Sequence, residues 1–158
     1  MNLKDKMRPV EILLVEDNPG DVRLTKEALK EGKLINNLHV VGDGVEAEAF
    51  LRKRGKFKNE PLPDLILLDL NLPKKDGREL LAEIKEDERF KQIPVVVLTT
   101  SKAEADIIQS YESHANCYIT KPVEMNQFIK IVQSIEHFWF SIVTLPFHEY
   151  NPQIYETS

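Results

Sequence analysis

The sequence contains a single cysteine, Cys117, among its 158 residues. One thiol can form neither an internal disulfide nor a zinc site built of cysteines, and it is compatible with a reducing compartment. The sequence also lacks an apolar run long enough to cross a bilayer, and its start, MNLKDKMRP, lacks the apolar segment of a signal peptide. We therefore expect a soluble cytoplasmic protein without a membrane partner.

The sequence has no excess of positive charge. Its 21 lysines and arginines stand against 26 aspartates and glutamates, which gives a formal net charge of -5. Such a charge repels the phosphate backbone of nucleic acids. After Lys130 the chain contains no lysine or arginine, so its C-terminal part is not a compact nucleic-acid-binding module. We therefore expect no direct binding to DNA or RNA.

Strongly apolar residues, by contrast, are abundant, because Leu, Ile, Val and Phe make up 50 of the 158 residues. Short apolar runs that do not alternate with polar residues predict strands buried on both faces, which are typical of parallel sheets. Five such runs cover residues 11–15, 39–41, 65–68, 95–98 and 117–119.

Five segments with the apolar spacing of helices alternate with these strands. The first begins at an Asn18-Pro19 cap and stops at Gly32, and the second extends to Arg54 and stops at Gly55. The apolar positions of the other three are Leu80, Leu81 and Ile84; Ile107, Ile108 and Tyr111; and Met125, Phe128, Ile129 and Val132. Because parallel neighbours need crossover connections, the sequence predicts a doubly wound α/β domain with a five-stranded parallel sheet flanked by five helices.

Three acidic residues stand at the ends of two predicted strands. Glu16 and Asp17 follow the first strand, and Asp69 follows the third. The carboxyl ends of parallel strands meet at one edge of the sheet, so we expect the three carboxylates to converge. Crowded carboxylates share a proton or bind a cation, and ligation by oxygen alone suits Mg²⁺. Taken singly, each acid could instead cap the following helix.

Two further strand ends supply groups that complement the acids. Thr99 and Thr100 end the fourth strand, and the fifth is followed by Thr120, Lys121 and Pro122. A nucleophilic carboxylate, a metal ion, a lysine and a hydroxyl together form a phosphoryl-transfer site, in which the metal and the lysine neutralise the charge of the transferred group. A lysine before a proline usually faces solvent, so this prediction depends on the whole combination.

With these motifs the sequence resembles the receiver domain of two-component response regulators over residues 9–138. The motifs are VEDN, DLNLPKKDG, LTTS and YITKP. The resemblance implies a flavodoxin-like receiver fold in which Asp69 accepts a phosphoryl group. It also implies that Mg²⁺ is held by Glu16, Asp17, Asp69 and the backbone carbonyl of Asn71.

The same resemblance implies roles for three more residues. Lys121 would contact the phosphoryl oxygens, and Thr99, as the switch hydroxyl, would follow the phosphoryl group. Tyr118 would be its aromatic partner, so that phosphorylation alters the surface formed by helix four, strand five and helix five. Such a protein is a signalling phosphoacceptor that catalyses only its own phosphorylation and slow dephosphorylation, and not an enzyme acting on other substrates.

Within this family, the segments VEDNPGDVRLTKEAL and NCYITKP and the extension HFWFSIVTLP look similar to the stand-alone regulators of cyanobacterial phytochromes. That likeness implies a sensor histidine kinase of the phytochrome type as partner. We divide the chain into an N-terminal tail, residues 1–8, a receiver domain, residues 9–138, and a C-terminal extension, residues 139–158, with a packing or dimerisation role.

Two other functions compete with this interpretation. A phosphohydrolase of the haloacid dehalogenase type also uses a strand-end aspartate, Mg²⁺ and a lysine, but it needs a second aspartate two residues later as acid and base. This chain has Asn71 at that position, and an amide cannot transfer the proton. The other alternative is a receiver-like module that is never phosphorylated and acts by docking.

The predicted fifth helix has a second apolar stripe. Its members, Ile131, Ile135, Phe138 and Ile142, repeat at intervals of four, three and four residues. One helix on one sheet buries one stripe, so the second must meet either the chain's own tail or a second copy through a two-fold contact. We favour a homodimer because the aromatic residues 138–140 would otherwise form an exposed apolar patch.

Overall fold

The structure is a computed structural model of the 158-residue chain that describes residues 9–31, 35–100, 117–121, 123–124, 126–127 and 130. One parallel sheet organises these residues, with the strand order β2-β1-β3-β4-β5. Its strands are β1 (Val10–Val15), β2 (Asn36–Val41), β3 (Leu65–Asp69), β4 (Val95–Thr99) and β5 (Cys117–Thr120). The predicted doubly wound, five-stranded parallel sheet is thereby confirmed.

Helices connect the strands. They are α1 (Pro19–Glu31), α2 (Gly44–Leu51), α3 (Gly77–Glu86) and a short 3-10 helix (Gly55–Phe57). The fourth predicted helix lies outside the described residues. Of the fifth, the described residues Asn126, Gln127 and Lys130 are helical, whereas the four apolar positions that predicted this helix lie outside the described residues.

The sheet is buried on both faces, which explains the uninterrupted apolar runs of its central strands. Every residue of β3 and β4 is buried, and so is all of β1 except Glu11. Leu29 of α1 packs against one face, and Phe50 of α2 and Leu80 of α3 pack against the other. Burial of each such side chain stabilises the folded state by about 1.5–3 kcal/mol, so these helices are held firmly against the sheet.

The second strand is longer than the sequence predicted. It begins at Asn36, three residues before the predicted start at His39, and pairs with β1 along its whole length. β2 lies at the edge of the sheet, where polar side chains are tolerated, and Asn37 Nδ2 donates a hydrogen bond to Glu11 Oε2 at 2.8 Å. A pattern that detects buried strands does not detect such polar edge residues.

The second helix is shorter than predicted. It ends at Leu51 and does not continue to Arg54 with Gly55 as its stop. Lys53 adopts the left-handed conformation with a φ of 56°, and the Arg54 N–H donates to the Ala49 carbonyl at 2.9 Å. This is the hydrogen-bond pattern by which a left-handed residue ends a helix, so a lysine occupies the position where glycine is usual.

The basic loop of residues 52–63 folds back onto α2 and β2. The Phe57 ring packs with its centroid 5.3 Å from that of Phe50. Glu60 Oε2 lies 3.3 Å from His39 Nδ1, which ties the end of the loop to the edge strand. The loop therefore covers part of the sheet edge.

Candidate functional site

Three carboxylates meet at the carboxyl edge of β1 and β3. The two strands pair side by side, so Glu16 and Asp17 come to lie next to Asp69. One carboxylate oxygen from each residue lies within 4.8 Å of the others. Glu16 and Asp69 are buried, with exposed fractions of 2% and 4%, and Asp17 is exposed. The structure therefore brings together the three acids that the strand ends predict to converge.

The ammonium group of Lys121 lies among these acids. Its Nζ donates to Asp69 Oδ2 at 2.9 Å and to Asp21 Oδ2 at 3.0 Å, and it contacts Glu16 Oε1. The Lys121 side chain is only 9% exposed. Pairing of β5 with β4 fixes its place, because the Lys121 N–H donates to the Thr99 carbonyl at 2.8 Å. The alternative of a lysine that merely faces solvent is wrong here.

The other residues singled out in the sequence lie around this cluster. Thr99 is the last residue of β4 and is buried, whereas Thr100 is exposed. Tyr118 of β5 is partly buried and packs against the core on the side of α2 and α3. The backbone N–H of Asn71 donates to Asp69 Oδ1 at 3.0 Å. Both oxygens of Asp69 are therefore held, one by a lysine and one by a backbone amide.

Charge is shared unevenly among these groups. Burial and the neighbouring Asp69 carboxylate raise the pKa of Glu16 to about 8, although Lys121 opposes this. Burial disfavours an ionised Asp69, yet hydrogen bonds from Glu16, Lys121 and the Asn71 backbone hold its pKa below the usual range. Burial also opposes the charge of Lys121, but the Glu16, Asp69 and Asp21 carboxylates raise its pKa. At neutral pH the cluster therefore holds an ionised Asp69 and a protonated Glu16.

One oxygen of the cluster indicates what the site can bind. Glu16 Oε1 is buried and lacks a hydrogen bond of regular geometry, although it contacts the Lys121 ammonium. A cation shared by the three carboxylates would give this oxygen a further partner and allow Glu16 to ionise. An all-oxygen donor set fits a hard divalent ion such as Mg²⁺. Within the part of the chain that the structure describes, no second cluster of three potential metal ligands occurs.

The loop between β3 and α3, which carries Asn71, is fixed from two sides. Lys75 Nζ lies 2.9 Å from Glu48 Oε2 of α2 and also contacts Glu83 of α3. A Cβ at Gly44 would lie 2.4 Å from the Lys75 carbonyl oxygen, so only glycine allows this approach. No sequence pattern indicates this role of Lys75, because a lysine in a loop is usually solvated.

Asp21 is the second residue that sequence reasoning missed. It lies in the first turn of α1, where acids are common because they favour the helix N-terminus. An acid at this position usually interacts with the helix N-terminus alone, and no sequence motif indicates its contact with Lys121. Its place after the Asn18-Pro19 cap was the available signal, since a first-turn side chain lies near the carboxyl edge of the sheet.

A family model for the response regulator receiver domain matches residues 12–133. The chain belongs to the response regulator receiver family. It is 56% identical over 138 residues to the response regulator Rcp1 of Synechocystis sp., covering 87% of this chain and 94% of Rcp1. Among solved structures it resembles the phosphorylated cyanobacterial phytochrome response regulator RcpA, with 55% identity, coverage of 88% and 99% of the two chains, and a TM-score of 0.70.

Two further solved receivers contain metal ions. The Mn²⁺-bound form of Rcp1 is 56% identical, with 87% of this chain and 99% of that chain covered and a TM-score of 0.69. The receiver domain of sensor histidine kinase PA1611 from Pseudomonas aeruginosa PAO1, with Mg²⁺ coordinated in its active-site cleft, is 28% identical, covers 80% and 97%, and has a TM-score of 0.64. The acidic cluster of this chain fits a divalent cation of the kind that these two relatives hold, in agreement with the expectation from the sequence.

The comparisons confirm the receiver fold and the likeness to the stand-alone cyanobacterial phytochrome regulators. The chain is a receiver-domain response regulator related to Rcp1, a signalling protein of a family that accepts phosphoryl groups from histidine kinases. None of the helices that the structure describes combines the length and apolar character needed to cross a bilayer.

Proposed function

We propose that this protein is a cytoplasmic response regulator that accepts a phosphoryl group on Asp69 from the phosphohistidine of a phytochrome-type sensor histidine kinase. The observation that carries the proposal is the Asp69 carboxylate, which is buried and hydrogen-bonded to Lys121 at 2.9 Å within the three-carboxylate cluster. The phytochrome partner is supported by the likeness to RcpA, whose structure is that of a phytochrome response regulator.

The chain's own groups suit this transfer. A carboxylate oxygen of Asp69 attacks the phosphorus in line, the new O–P bond forms, and the N–P bond to the kinase histidine breaks and returns its electron pair to the imidazole. Lys121 and the Asn71 N–H each donate a hydrogen bond to a different oxygen of Asp69, which fixes the orientation of the carboxylate. Mg²⁺ held by Glu16, Asp17, Asp69 and the Asn71 carbonyl would neutralise charge on the transferred group.

The proposal includes a switch made of Thr99 and Tyr118. An acyl phosphate on Asp69 attracts the Thr99 hydroxyl, and the Tyr118 ring turns into the vacated space. Thr99 ends β4 beside the backbone of Lys121, and Tyr118 pairs with Val97 one strand away, which supports a linked movement. The phosphoryl group supplies the free-energy difference between the two arrangements. Solution NMR with and without beryllofluoride tests this, and unchanged Tyr118 signals would contradict it.

The domain limits and the dimer belong to the proposal as well. The family match, residues 12–133, lies inside the proposed receiver domain, residues 9–138. The proposed tail, residues 1–8, and extension, residues 139–158, lie outside the described residues. So do the four proposed dimer residues, which are Ile131, Ile135, Phe138 and Ile142. Homodimerisation through that stripe therefore stays a prediction.

Neither alternative function is favoured by an observation. The phosphohydrolase needs a carboxylic acid at position 71, and Asn71 offers an amide there. A receiver that only docks has no need for a buried lysine hydrogen-bonded to its acceptor aspartate. We therefore treat the protein as a phosphoacceptor, and not as an enzyme that acts on other substrates.

The decisive experiment compares two aspartate variants. The protein is incubated with Mg²⁺ and acetyl phosphate, and acid-labile phosphate is located by mass spectrometry. Asp69→Asn should take up no phosphate. Asp76→Asn is the matched control, because asparagine can cap α3 as the aspartate does, and it should be phosphorylated normally. Stoichiometric phosphate at position 69 in Asp69→Asn would refute the assignment.

A further inference from the structure

We propose that Asp21 is a positioning residue that anchors the Lys121 ammonium beside Asp69 throughout the phosphorylation cycle. The inference rests on the function proposed above, because it concerns the same site. It starts from one contact, in which Lys121 Nζ lies 3.0 Å from Asp21 Oδ2.

The start of α1 places Asp21 for this contact. Asn18 precedes the helix, and its Oδ1 accepts a hydrogen bond from the Asp21 N–H at 3.0 Å. Pro19 fixes the first helical turn, so the Asp21 side chain stands near the helix N-terminus at the carboxyl edge of the sheet. The Asp21 side chain is 31% exposed and that of Lys121 is 9% exposed, so this ion pair is partly shielded from solvent.

A count of donors shows why the contact matters. An ammonium has three N–H donors, and that of Lys121 faces three carboxylates, those of Glu16, Asp69 and Asp21. A new contact to a phosphoryl group therefore requires that Lys121 give up one of these partners.

The cycle itself changes two of the three partners. Glu16 and Asp69 both belong to the cluster that fits the cation, and Asp69 becomes the acyl phosphate. Asp21 is not a member of that cluster. Of the three partners, Asp21 is the one whose carboxylate the cycle leaves unchanged, so it can hold the flexible lysine stem in place while the others are engaged.

The direction of the effect separates positioning from simple charge. If Asp21 contributed only negative charge, its removal would attract an anionic phosphodonor and speed the reaction. If it anchors Lys121, Asp21→Ala should slow phosphorylation of Asp69 about fivefold, as expected for loss of one partly shielded ion pair. Metal affinity should stay within about twofold, because Asp21 is not a ligand.

The first test is a double-mutant cycle with acetyl phosphate as donor and saturating Mg²⁺. Initial rates are measured for the wild type, Asp21→Ala, Lys121→Ala and the double variant. Asp21→Ala should slow the wild type and have no further effect once Lys121 is gone. Glu27→Ala, which removes an exposed carboxylate of the same helix, should leave the rate unchanged. A faster or unchanged rate for Asp21→Ala, or an equal loss in both backgrounds, would overturn the anchor.

The second test needs no phosphorylation. The wild type and Asp21→Asn, which preserves the size of the side chain, are treated with acetic anhydride, and acetylation of Lys121 is compared with that of exposed Lys26 by mass spectrometry. Loss of the anchor should raise the relative labelling of Lys121, and unchanged labelling would contradict the contact. If the wild type takes no phosphate, the proposed function fails, while this measurement still decides the role of Asp21.

Discussion

Replacement of Glu16 by glutamine tests the electrostatics of the whole site. Glu16 is 2% exposed, and burial together with Asp69 raises its pKa from 4.5 to about 8. A buried carboxyl of this kind is protonated at neutral pH, and glutamine imitates its neutral form. We therefore expect that, without a metal ion, Glu16→Gln has the same free energy of unfolding as the wild type at low pH. At higher pH its free energy of unfolding should exceed that of the wild type.

The sign and size of the effect follow from proton linkage. Between pH 4.5 and 8 the folded state keeps a proton on Glu16 that the unfolded chain has lost. The free energy of unfolding of the wild type should therefore fall as pH rises, by at most about 1.4 kcal/mol per pH unit from this group. Over the whole interval the loss amounts to roughly 3–5 kcal/mol. The variant lacks this slope because glutamine does not titrate.

The assay is urea denaturation of both proteins from pH 5 to pH 8 in EDTA. The difference in free energy of unfolding between the variant and the wild type should grow with pH, whereas the control Glu27→Gln, at an exposed position of α1, should show a constant difference. Saturating Mg²⁺ should stabilise the wild type and remove the variant's advantage, because the ionised Glu16 then has a partner. A difference that does not change with pH in EDTA would refute the reasoning.

Three other predictions concern the metal, the loop and the dimer. Mg²⁺ binding at pH 7 should release about one proton because it displaces the proton of Glu16, and calorimetry in two buffers of different ionisation enthalpy measures this; equal apparent enthalpies would contradict it. Lys75→Met should lower the free energy of unfolding in urea by about 1–2 kcal/mol, since the Lys75 side chain is 14% exposed and contacts two carboxylates. Its neighbour Lys74, 68% exposed, is the control, and an equal loss in Lys74→Met would contradict the role of Lys75. The wild type should sediment as a dimer and the Ile131→Glu, Phe138→Glu variant as a monomer at micromolar concentration; equal monomeric masses with and without phosphorylation would refute the dimer.

The sequence predicted the central strands well and the edges of elements less well, for a physical reason. β3 and β4 are buried at every position, so their composition is dictated by the core. β2 lies at the edge of the sheet, where Asn36 and Asn37 pair with β1 and the Asn37 side chain donates a hydrogen bond to Glu11. Because these residues are polar, the start of β2 shows no apolar pattern. The end of α2 depends on the left-handed conformation of Lys53, which side-chain chemistry does not reveal.

The same distinction explains which parts of the site could be predicted. Glu16, Asp17, Asp69 and Lys121 stand at the ends of parallel strands, and the topology alone brings strand ends together at one edge. The contact between Asp21 and Lys121 depends instead on how α1 leans over the sheet and on which rotamer the lysine adopts. Neither is set by strand order.

The crowding of acids at this edge links the strand-end residues, which the sequence predicts, to the contact between Asp21 and Lys121, which it does not. Three acidic side chains, those of Glu16, Asp21 and Asp69, contact the Lys121 ammonium, and the excess of negative charge is relieved by a proton on Glu16. Glu16, Asp17 and Asp69 would hold a cation, and Glu16 would then lose its proton and ionise. A bound cation would also compete with Lys121 for Glu16 and Asp69, whereas Asp21 lies outside the cluster. Asp21 would therefore hold Lys121 in place whether or not a metal ion is bound, which is why its loss should slow phosphorylation while metal affinity stays within about twofold.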